Sequence, residues 1–181
     1  MESSRKHCKA QKTCPKNHSK HHCKLCDDDD DANHLARDCP KGITLFHGTK
    51  ISKVNSILKN GLKPSAKGRI GSGIYFAEAQ IAEQVSRHRG QGTGVAIFQC
   101  RVNIQYCTKS THPPWQGVTS SSFEEWLLTD TNKYRIMGVA LIDGAIEDNI
   151  YFPRGEIFVS GNCQLKGQVK AGRISSNKSL N

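Results

Sequence analysis

The chain has 181 residues, a formal net charge of +10 at pH 7 and 36% hydrophobic residues, a size that suits one globular domain with a short appendage. No apolar run is long enough to cross a bilayer, and the basic N-terminus lacks the apolar core of a secretory signal. We therefore expect a protein of the cytosol or nucleus, where structural disulfides are rare. The positive charge favours anionic partners without choosing among nucleic acid, a dinucleotide and acidic protein surfaces.

The first 40 residues are rich in potential metal ligands. Five of the eight cysteines lie there, interleaved with five histidines, and large apolar side chains are almost absent. Such a segment cannot fold on apolar burial alone, but metal binding can supply the missing free energy. The spacing predicts a tetrahedral zinc site with Cys23, Cys26, His34 and Cys39 as ligands. A second set upstream, formed by Cys8, Cys14 and His18, could build another site or compete for the first.

From residue 43 onward the composition is that of a globular domain. Short apolar, β-rich runs predict strands, and apolar residues at helical spacing predict helices. In chain order we predict a strand at Ile43–Phe46, a helix over Ile51–Leu58, a strand at Ile74–Ala77, a helix over Ala79–His88, a strand at Val95–Val102, a short helix at Phe123–Leu128, and strands at Tyr134–Ile142, Glu156–Val159 and Gln164–Lys170.

Few helices and many short strands indicate an α+β fold with a mixed, mostly antiparallel sheet. We expect three regions: a Cys/His-rich zinc-binding segment at residues 1–42, a catalytic domain at 43–171 and a flexible polar tail at 172–181.

Three polar residues stand at or beside apolar strands in the second region. His47 lies in Leu-Phe-His-Gly-Thr, Tyr75 in Gly-Ser-Gly-Ile-Tyr-Phe-Ala, and Glu156 in Gly-Glu-Ile-Phe-Val. A shared ligand pocket would explain why such groups are placed where burial without partners costs about 1–3 kcal/mol each. Their order and context resemble the His-Tyr-Glu signature of poly(ADP-ribose) polymerase-like ADP-ribosyltransferases, over roughly residues 43–170.

This resemblance implies a split β-sheet fold, NAD as cosubstrate, and a role for each residue of the motifs. His47 in His-Gly-Thr, with Thr49, would contact the adenosine ribose, and Gly48 would hold the nicotinamide carboxamide through its backbone. Tyr75 would stack on nicotinamide, and Glu156 would bind the ribose 2′-hydroxyl and activate the acceptor. Family members place a Ser and a second Tyr in the next helix, at positions that fall near Glu83 and Ser86 here; Ser86 could serve in the Ser role.

The Cys/His segment resembles a CCHC zinc knuckle of proteins that bind single-stranded nucleic acid, with the acidic run Asp27–Asp31 inserted in its loop. The sequence thus predicts an NAD-dependent mono-ADP-ribosyltransferase with a protein or nucleic-acid acceptor and an N-terminal zinc segment that could bind nucleic acid. Two alternatives stay open. One is a non-catalytic zinc-dependent nucleic-acid or protein binding module with a degenerate transferase fold. The other is an RNA 2′-phosphotransferase using Arg69, Arg87, His88 and Arg89.

Overall fold

The structure is a computed structural model and describes residues 23–26 and 34–176. The second set of predicted zinc ligands, Cys8, Cys14 and His18, lies outside these ranges. The α-helices are α1 (Val54–Asn60) and α2 (Ala79–Gly90). The strands are β1 (Gly42–Lys50), β2 (Ile74–Phe76), β3 (Val95–Asn103), β4 (Cys107–His112), β5 (Phe123–Leu128), β6 (Tyr134–Ile142), β7 (Ala145–Ile146), β8 (Ile150–Ser160), β9 (Gln164–Leu165) and β10 (Val169–Ser176). Short 3-10 turns occupy Ala36–Asp38, Ile51–Lys53 and Ile104–Tyr106.

Two sheets meet at an angle and form the body of the domain. The larger has the strand order β1-β3-β6-β8-β10, and the smaller has the order β2-β5-β4. In the larger sheet β1, β3 and β6 are antiparallel, whereas β8 runs parallel to both β6 and β10. The sheets are joined where Phe46 and Ala77 exchange two backbone hydrogen bonds of 2.9 Å. The expected α+β architecture with a mixed sheet is therefore confirmed.

Apolar side chains cover both faces of the larger sheet. On one face the main core packs Phe98, Val139 and Ile157, each fully buried, against Phe76 of the smaller sheet and against α1. On the other face α2 lies across β1 and β3, where Ala82 meets Val95, Ile97 and Ala140. The site described below lies where this helix and the free edge of β1 come together.

Two sequence-based expectations need correction. Phe123–Leu128 is the strand β5, in the middle of the smaller sheet, and not a short helix. Its Phe and Leu spacing also fits a helix, but pairing with β2 and β4 decides the conformation. β10 continues to Ser176 in parallel pairing with β8, so 172–176 belong to the sheet and not to a tail. Residues 177–181 lie outside the described part.

The Cys/His turn packs directly on the domain. The Asn103 side chain donates to the Leu25 carbonyl over 2.5 Å, and Arg101 donates to the Cys39 carbonyl over 2.9 Å. Leu25 is fully buried. The described part of this segment is therefore attached to the ends of β1 and β3 and does not hang free. Within residues 23–26 and 34–176, no helix combines the length and apolar character needed to span a bilayer.

Candidate functional site

A cavity of about 430 Å³ opens beside the bridge between β1 and β2, a volume in the range of ligand pockets, about 300–1,000 Å³. Its walls come from β1, β2, α2, the loop before β2 and the segment between β4 and β5. Three of the predicted site residues, His47, Gly48 and Tyr75, line it together. Residues that are 28 positions apart in the sequence thus share one surface.

His47 is held in one orientation and one tautomer. Its Nδ1 lies 2.8 Å from the backbone carbonyl oxygen of Tyr75; since a carbonyl only accepts, Nδ1 carries the proton and donates. Burial lowers the pKa of His47 to about 4, against the opposing effect of this hydrogen bond and with a further lowering by the Arg89 cation. The ring is therefore neutral near pH 7, and its Nε2 offers a lone pair to a hydroxyl of a ligand.

Gly48 sits under α2 with no room for a side chain. A Cβ built at this position would lie 1.8 Å from the backbone carbonyl oxygen of Ala82. The close approach brings the helix against β1, and a backbone edge without a side chain faces the cavity. This explains in physical terms why a glycine follows His47.

Ser86 is not part of the cavity. Its hydroxyl donates to the Thr49 carbonyl over 2.5 Å and accepts from the Ala96 amide over 3.1 Å, and the residue is fully buried. Ser86 therefore ties α2 to β1 and β3, and the role in nicotinamide binding that the sequence suggested is not available to it. Thr49 is also buried and lies outside the cavity lining.

Tyr75 is fixed by the loop that precedes its strand. Its hydroxyl donates to the Gly71 carbonyl over 2.8 Å and accepts from the Ile70 amide over 3.1 Å. A Cβ at Gly68 would lie 2.1 Å from the Tyr75 hydroxyl oxygen. The ring and the loop therefore hold each other in place, and the ring forms part of a rigid wall.

Arg89 reaches the cavity from the last turn of α2. Its Nη1 donates to the Gly48 carbonyl over 3.3 Å, and partial burial lowers the pKa of the guanidinium. Within the described residues it forms no ion pair with a carboxylate. The sequence suggests Arg89 only for the phosphotransferase alternative, because residue spacing does not predict its contact with β1.

The segment between β4 and β5 adds an aromatic wall. The ring of His112 stacks on Phe123 with centroids 4.6 Å apart and on Trp115 with centroids 5.5 Å apart. Next to this wall the buried Glu125 accepts from Arg69 Nε over 2.8 Å. Sequence reasoning missed these residues as site residues. A histidine and a tryptophan in a loop rich in proline and glycine were the signal that could have indicated them.

Glu156 lies across the sheet from the cavity and not in its lining. Phe46, Gln99, Gly138 and Glu156 are register partners on β1, β3, β6 and β8, so they share the face on which α2 lies. Three strand spacings of about 4.8 Å place the Cα atoms of Phe46 and Glu156 about 14 Å apart. Glu156 Oε1 accepts from Ser175 Oγ over 3.1 Å and lies 3.5 Å from Arg173 Nε.

Gly138 stands between Gln99 and Glu156 in this row, where there is little room for a side chain. A Cβ there would lie 3.0 Å from the Glu156 carbonyl oxygen, 3.3 Å from the Phe158 ring and 3.5 Å from the Gln99 side-chain oxygen. Among these four register partners, Gln99 carries the side chain between Phe46 and Glu156. Gly138 itself places no side chain beside the carboxylate.

Cys23, Cys26, His34 and Cys39 converge as the sequence predicted. Their ligand atoms all lie within 4.8 Å of one another, and the three cysteines are at most 1% exposed. Three thiols and an imidazole clustered in this way form a donor set suited to tetrahedral zinc, with Zn–S bonds of about 2.3 Å and Zn–N bonds of about 2.0 Å. The residues present therefore fit a structural zinc ion.

Comparison with known proteins gives two findings. A sequence model described as the poly(ADP-ribose) polymerase catalytic domain matches residues 6–113, which is more than half of the chain and includes His47, Gly48 and Tyr75 but not Glu156. The protein mono-ADP-ribosyltransferase PARP3 of Gallus gallus is 57% identical over 35 residues, covering 18% of this chain and 7% of that relative. The similarity to this relative thus concerns a small part of its length.

Proposed function

The chain belongs to the family of poly(ADP-ribose) polymerase catalytic domains, and we propose that it transfers a single ADP-ribose from NAD to a protein or nucleic-acid acceptor with release of nicotinamide. The observation that carries the proposal is the neutral, oriented His47 beside Gly48 and Tyr75 in one cavity. A pocket for NAD needs an acceptor for a ribose hydroxyl, a flat surface for the nicotinamide ring and backbone groups that bond its carboxamide. This cavity offers all three.

In this proposal His47 Nε2 accepts from a ribose hydroxyl, and the Gly48 backbone pairs with the carboxamide of nicotinamide. The Tyr75 ring, locked by Gly71 and Ile70, supplies a flat surface for the nicotinamide ring. Fixed partners of this kind lower the barrier mainly by orientation, because little freedom is left to lose. Nicotinamide leaves as a neutral molecule that takes the electron pair of its bond to ribose, so its departure needs no general acid.

Glu156 takes the remaining role. Its carboxylate accepts from the ribose 2′-hydroxyl and stabilises the positive charge that develops on the ribose as nicotinamide departs. The substrate would reach it from the cavity across Gln99 and Gly138. Since Ser175 and Arg173 already contact Oε1, substrate binding would exchange part of this contact for the ribose hydroxyl.

We also propose a structural zinc ion on Cys23, Cys26, His34 and Cys39. Its support is the convergence of the four ligand atoms in a buried site. Held there, the ion would fix the start of β1 against the end of β3 through the carbonyls of Leu25 and Cys39.

A non-catalytic binding module is the second candidate, and specific contacts favour it. Arg89 already donates to the Gly48 carbonyl, which a nicotinamide amide would need, and Glu156 lies outside the cavity lining. The phosphotransferase alternative has less support. Arg69 and Arg89 both line the cavity, but Arg69 is paired with Glu125, and Arg87 with Glu83 on the outer surface of α2.

The experiment is incubation of the purified zinc-loaded chain with NAD labelled in the adenylate phosphate, with and without cell lysate. The variants are Glu156→Gln and, as a matched control, Glu147→Gln, whose side chain is 68% exposed. NAD binding is measured in parallel by calorimetry. Label with the unmodified chain and the control, lost in Glu156→Gln while NAD still binds, supports transfer. NAD binding without label from any variant supports the binding module, and absence of NAD binding contradicts transfer.

A further inference from the structure

A cluster of basic side chains lies beside the Cys/His turn, away from the cavity. Arg101 and Arg135 are direct register partners on β3 and β6. Like charges placed opposite each other on antiparallel strands destabilise a sheet, so this pair needs a compensating partner. Within residues 23–26 and 34–176, Arg135 forms no ion pair.

Other cations extend the cluster on both sides. Burial lowers the pKa of the Arg135 guanidinium, the positive charges of Arg37 and Arg154 lower it further, and Asp38 opposes them. Arg37 and Arg154 are exposed. The electrostatic effects on Arg135 place both of these cations near it. Lys24 is not part of this cluster: its Nζ lies 5.5 Å above the ring of Tyr134, which packs on the opposite face of the sheet from Arg135.

Within the cluster, Arg101 is held in place by contacts with the Cys/His turn and the start of β1. Its Nη2 donates to the Cys39 carbonyl over 2.9 Å, and its Cγ and Nε lie 2.9 Å from the position a Cβ would take at Gly42. The Nε atom is buried without a hydrogen-bond partner among the described residues. The cluster is thus tied to the proposed zinc site, and its geometry depends on the Cys/His turn.

We propose that Arg37, Arg101, Arg135 and Arg154 form a binding surface for the phosphate backbone of single-stranded nucleic acid. Guanidinium groups bind phosphate oxygens in a fork, and strand pairing places the Cα atoms of Arg101 and Arg135 about 5 Å apart. A phosphodiester keeps its charge across the physiological pH range, and its regular repeat engages several cations at once.

The experiment measures fluorescence anisotropy of a labelled 20-nucleotide single strand with a 5′-hydroxyl, titrated with zinc-loaded chain at several salt concentrations. The test variant is Arg135→Gln with Arg154→Gln. The control is Lys53→Gln with Lys59→Gln, which removes the same charge from the 3-10 turn and the helix that cover the opposite face of the sheet. Thermal melting and zinc content check that each variant is folded.

We expect the test variant to bind at least tenfold more weakly at low salt, with the control within threefold of the unmodified chain. The slope of log K against log salt should fall in magnitude by about 1.4, since each phosphate contact on a single strand contributes about 0.7. Equal losses in both variants would overturn the proposal, because they would indicate general charge attraction. Equally tight binding of a poly-glutamate peptide of the same charge would also overturn it, in favour of an acidic protein partner.

One further arm addresses the chain's own acidic run, Asp27–Asp31, which stands in the sequence between Cys26 and His34 and lies outside the described residues. All five aspartates are changed to asparagine. Binding by the unmodified chain, strengthened modestly in this variant by the lost negative charge, is the expected result. If only the asparagine variant binds the single strand, the basic side chains are neutralised by the chain's own aspartates, and the proposal fails.

Discussion

The Nδ1 atom of His47 donates to the backbone carbonyl of Tyr75 over 2.8 Å, so the strand that carries one residue of the proposed site fixes the orientation of the other. The contact leaves Nε2 as an acceptor, and burial holds the pKa of His47 at about 4. Both features suit a group that binds a sugar hydroxyl without carrying charge.

The lowered pKa of His47 predicts acid sensitivity of the fold. An unfolded chain binds a proton at His47 below its usual pKa of about 6.5, whereas the folded chain resists protonation down to a pKa of about 4. Since the unfolded state binds more protons between these values, stability falls as the pH is lowered through this window. Urea unfolding at pH 7.5, 6.5 and 5.5 should show a smaller loss for His47→Asn than for the unmodified chain.

His88→Asn is the control for this experiment, because His88 is exposed on α2. Acid also weakens zinc binding by thiols, but this loss is common to all three proteins and cancels when they are compared. An equal acid response of His47→Asn and the unmodified chain would show that His47 is protonated as readily in the folded state as in the unfolded one.

Arg89 should weaken the binding of NAD. Its guanidinium occupies the Gly48 carbonyl, and its charge lies near the place proposed for a positively charged nicotinamide ring. We expect Arg89→Ala to bind NAD three- to tenfold more tightly, equivalent to about 0.7–1.4 kcal/mol. Benzamide, a neutral analogue of nicotinamide, should gain less affinity, because the substitution only makes the Gly48 carbonyl available to it. Calorimetry with both ligands measures the difference.

The matched control for Arg89→Ala is Arg87→Ala on the same helix, where the guanidinium pairs with Glu83 2.7 Å away on the outer surface. Its affinity for NAD should not change. Weaker NAD binding by Arg89→Ala would contradict the prediction and would instead place the guanidinium in contact with the diphosphate of the substrate.

Much of the architecture could be predicted from local pattern, but the contacts that complete the site could not. Val95–Val102 is a nearly continuous apolar run, and it forms a central strand as expected. The prediction of a helix at Phe123–Leu128 was wrong because the spacing of its apolar residues also fits a helix. Pairing on both edges holds this segment as a strand. The burial of Glu125 in that strand depends on Arg69, 56 residues away. Such long-range pairs leave no periodic signal in a single sequence.

Tyr75 and Ser86 illustrate the same limit within the site. A motif identified Tyr75, and the structure places it in the cavity with His47. Counting along α2 suggested Ser86, yet its side chain faces β1 and β3 and bonds to the Thr49 carbonyl and the Ala96 amide. The direction in which a helical side chain points is set by how the helix packs, and spacing alone does not determine it.

Gly48→Ala should destabilise the domain. The new methyl group would lie 1.8 Å from the Ala82 carbonyl oxygen, which belongs to helix backbone and cannot rotate away. We expect a loss of at least about 2 kcal/mol, since overpacking a rigid site costs about 1–3 kcal/mol or more. Gly90→Ala is the control, because the nearest atom to its Cβ would be Thr93 Oγ1 at 3.7 Å. Urea unfolding measures the free energy of unfolding of both variants. Equal values for the two would mean that α2 shifts freely over β1.

Removing zinc should lower the stability of the whole domain and not only that of the Cys/His turn. The turn is bonded to β3 through Asn103 and Arg101 and to the first residue of β1, whose amide donates to the Cys39 carbonyl over 3.1 Å. Loss of the ion therefore releases restraints on two strands of the larger sheet. We expect a chelator to lower the melting temperature in a single transition that also reports loss of the main core.

Cys26→Ser should reduce bound zinc by one ion per chain and reproduce the effect of the chelator, whereas Cys163→Ser, outside the cluster, should change neither zinc content nor melting temperature. Asn103→Ala distinguishes the effect of the hydrogen bond to the Cys/His turn from the effect of the metal. It removes the donor to the Leu25 carbonyl at a site that is 1% exposed, so it should cost about 1–3 kcal/mol while zinc content is unchanged. If chelation melted the turn alone and left the main transition in place, the segment would be an independent unit, and the contacts of Arg101 and Asn103 would not couple it to the sheet.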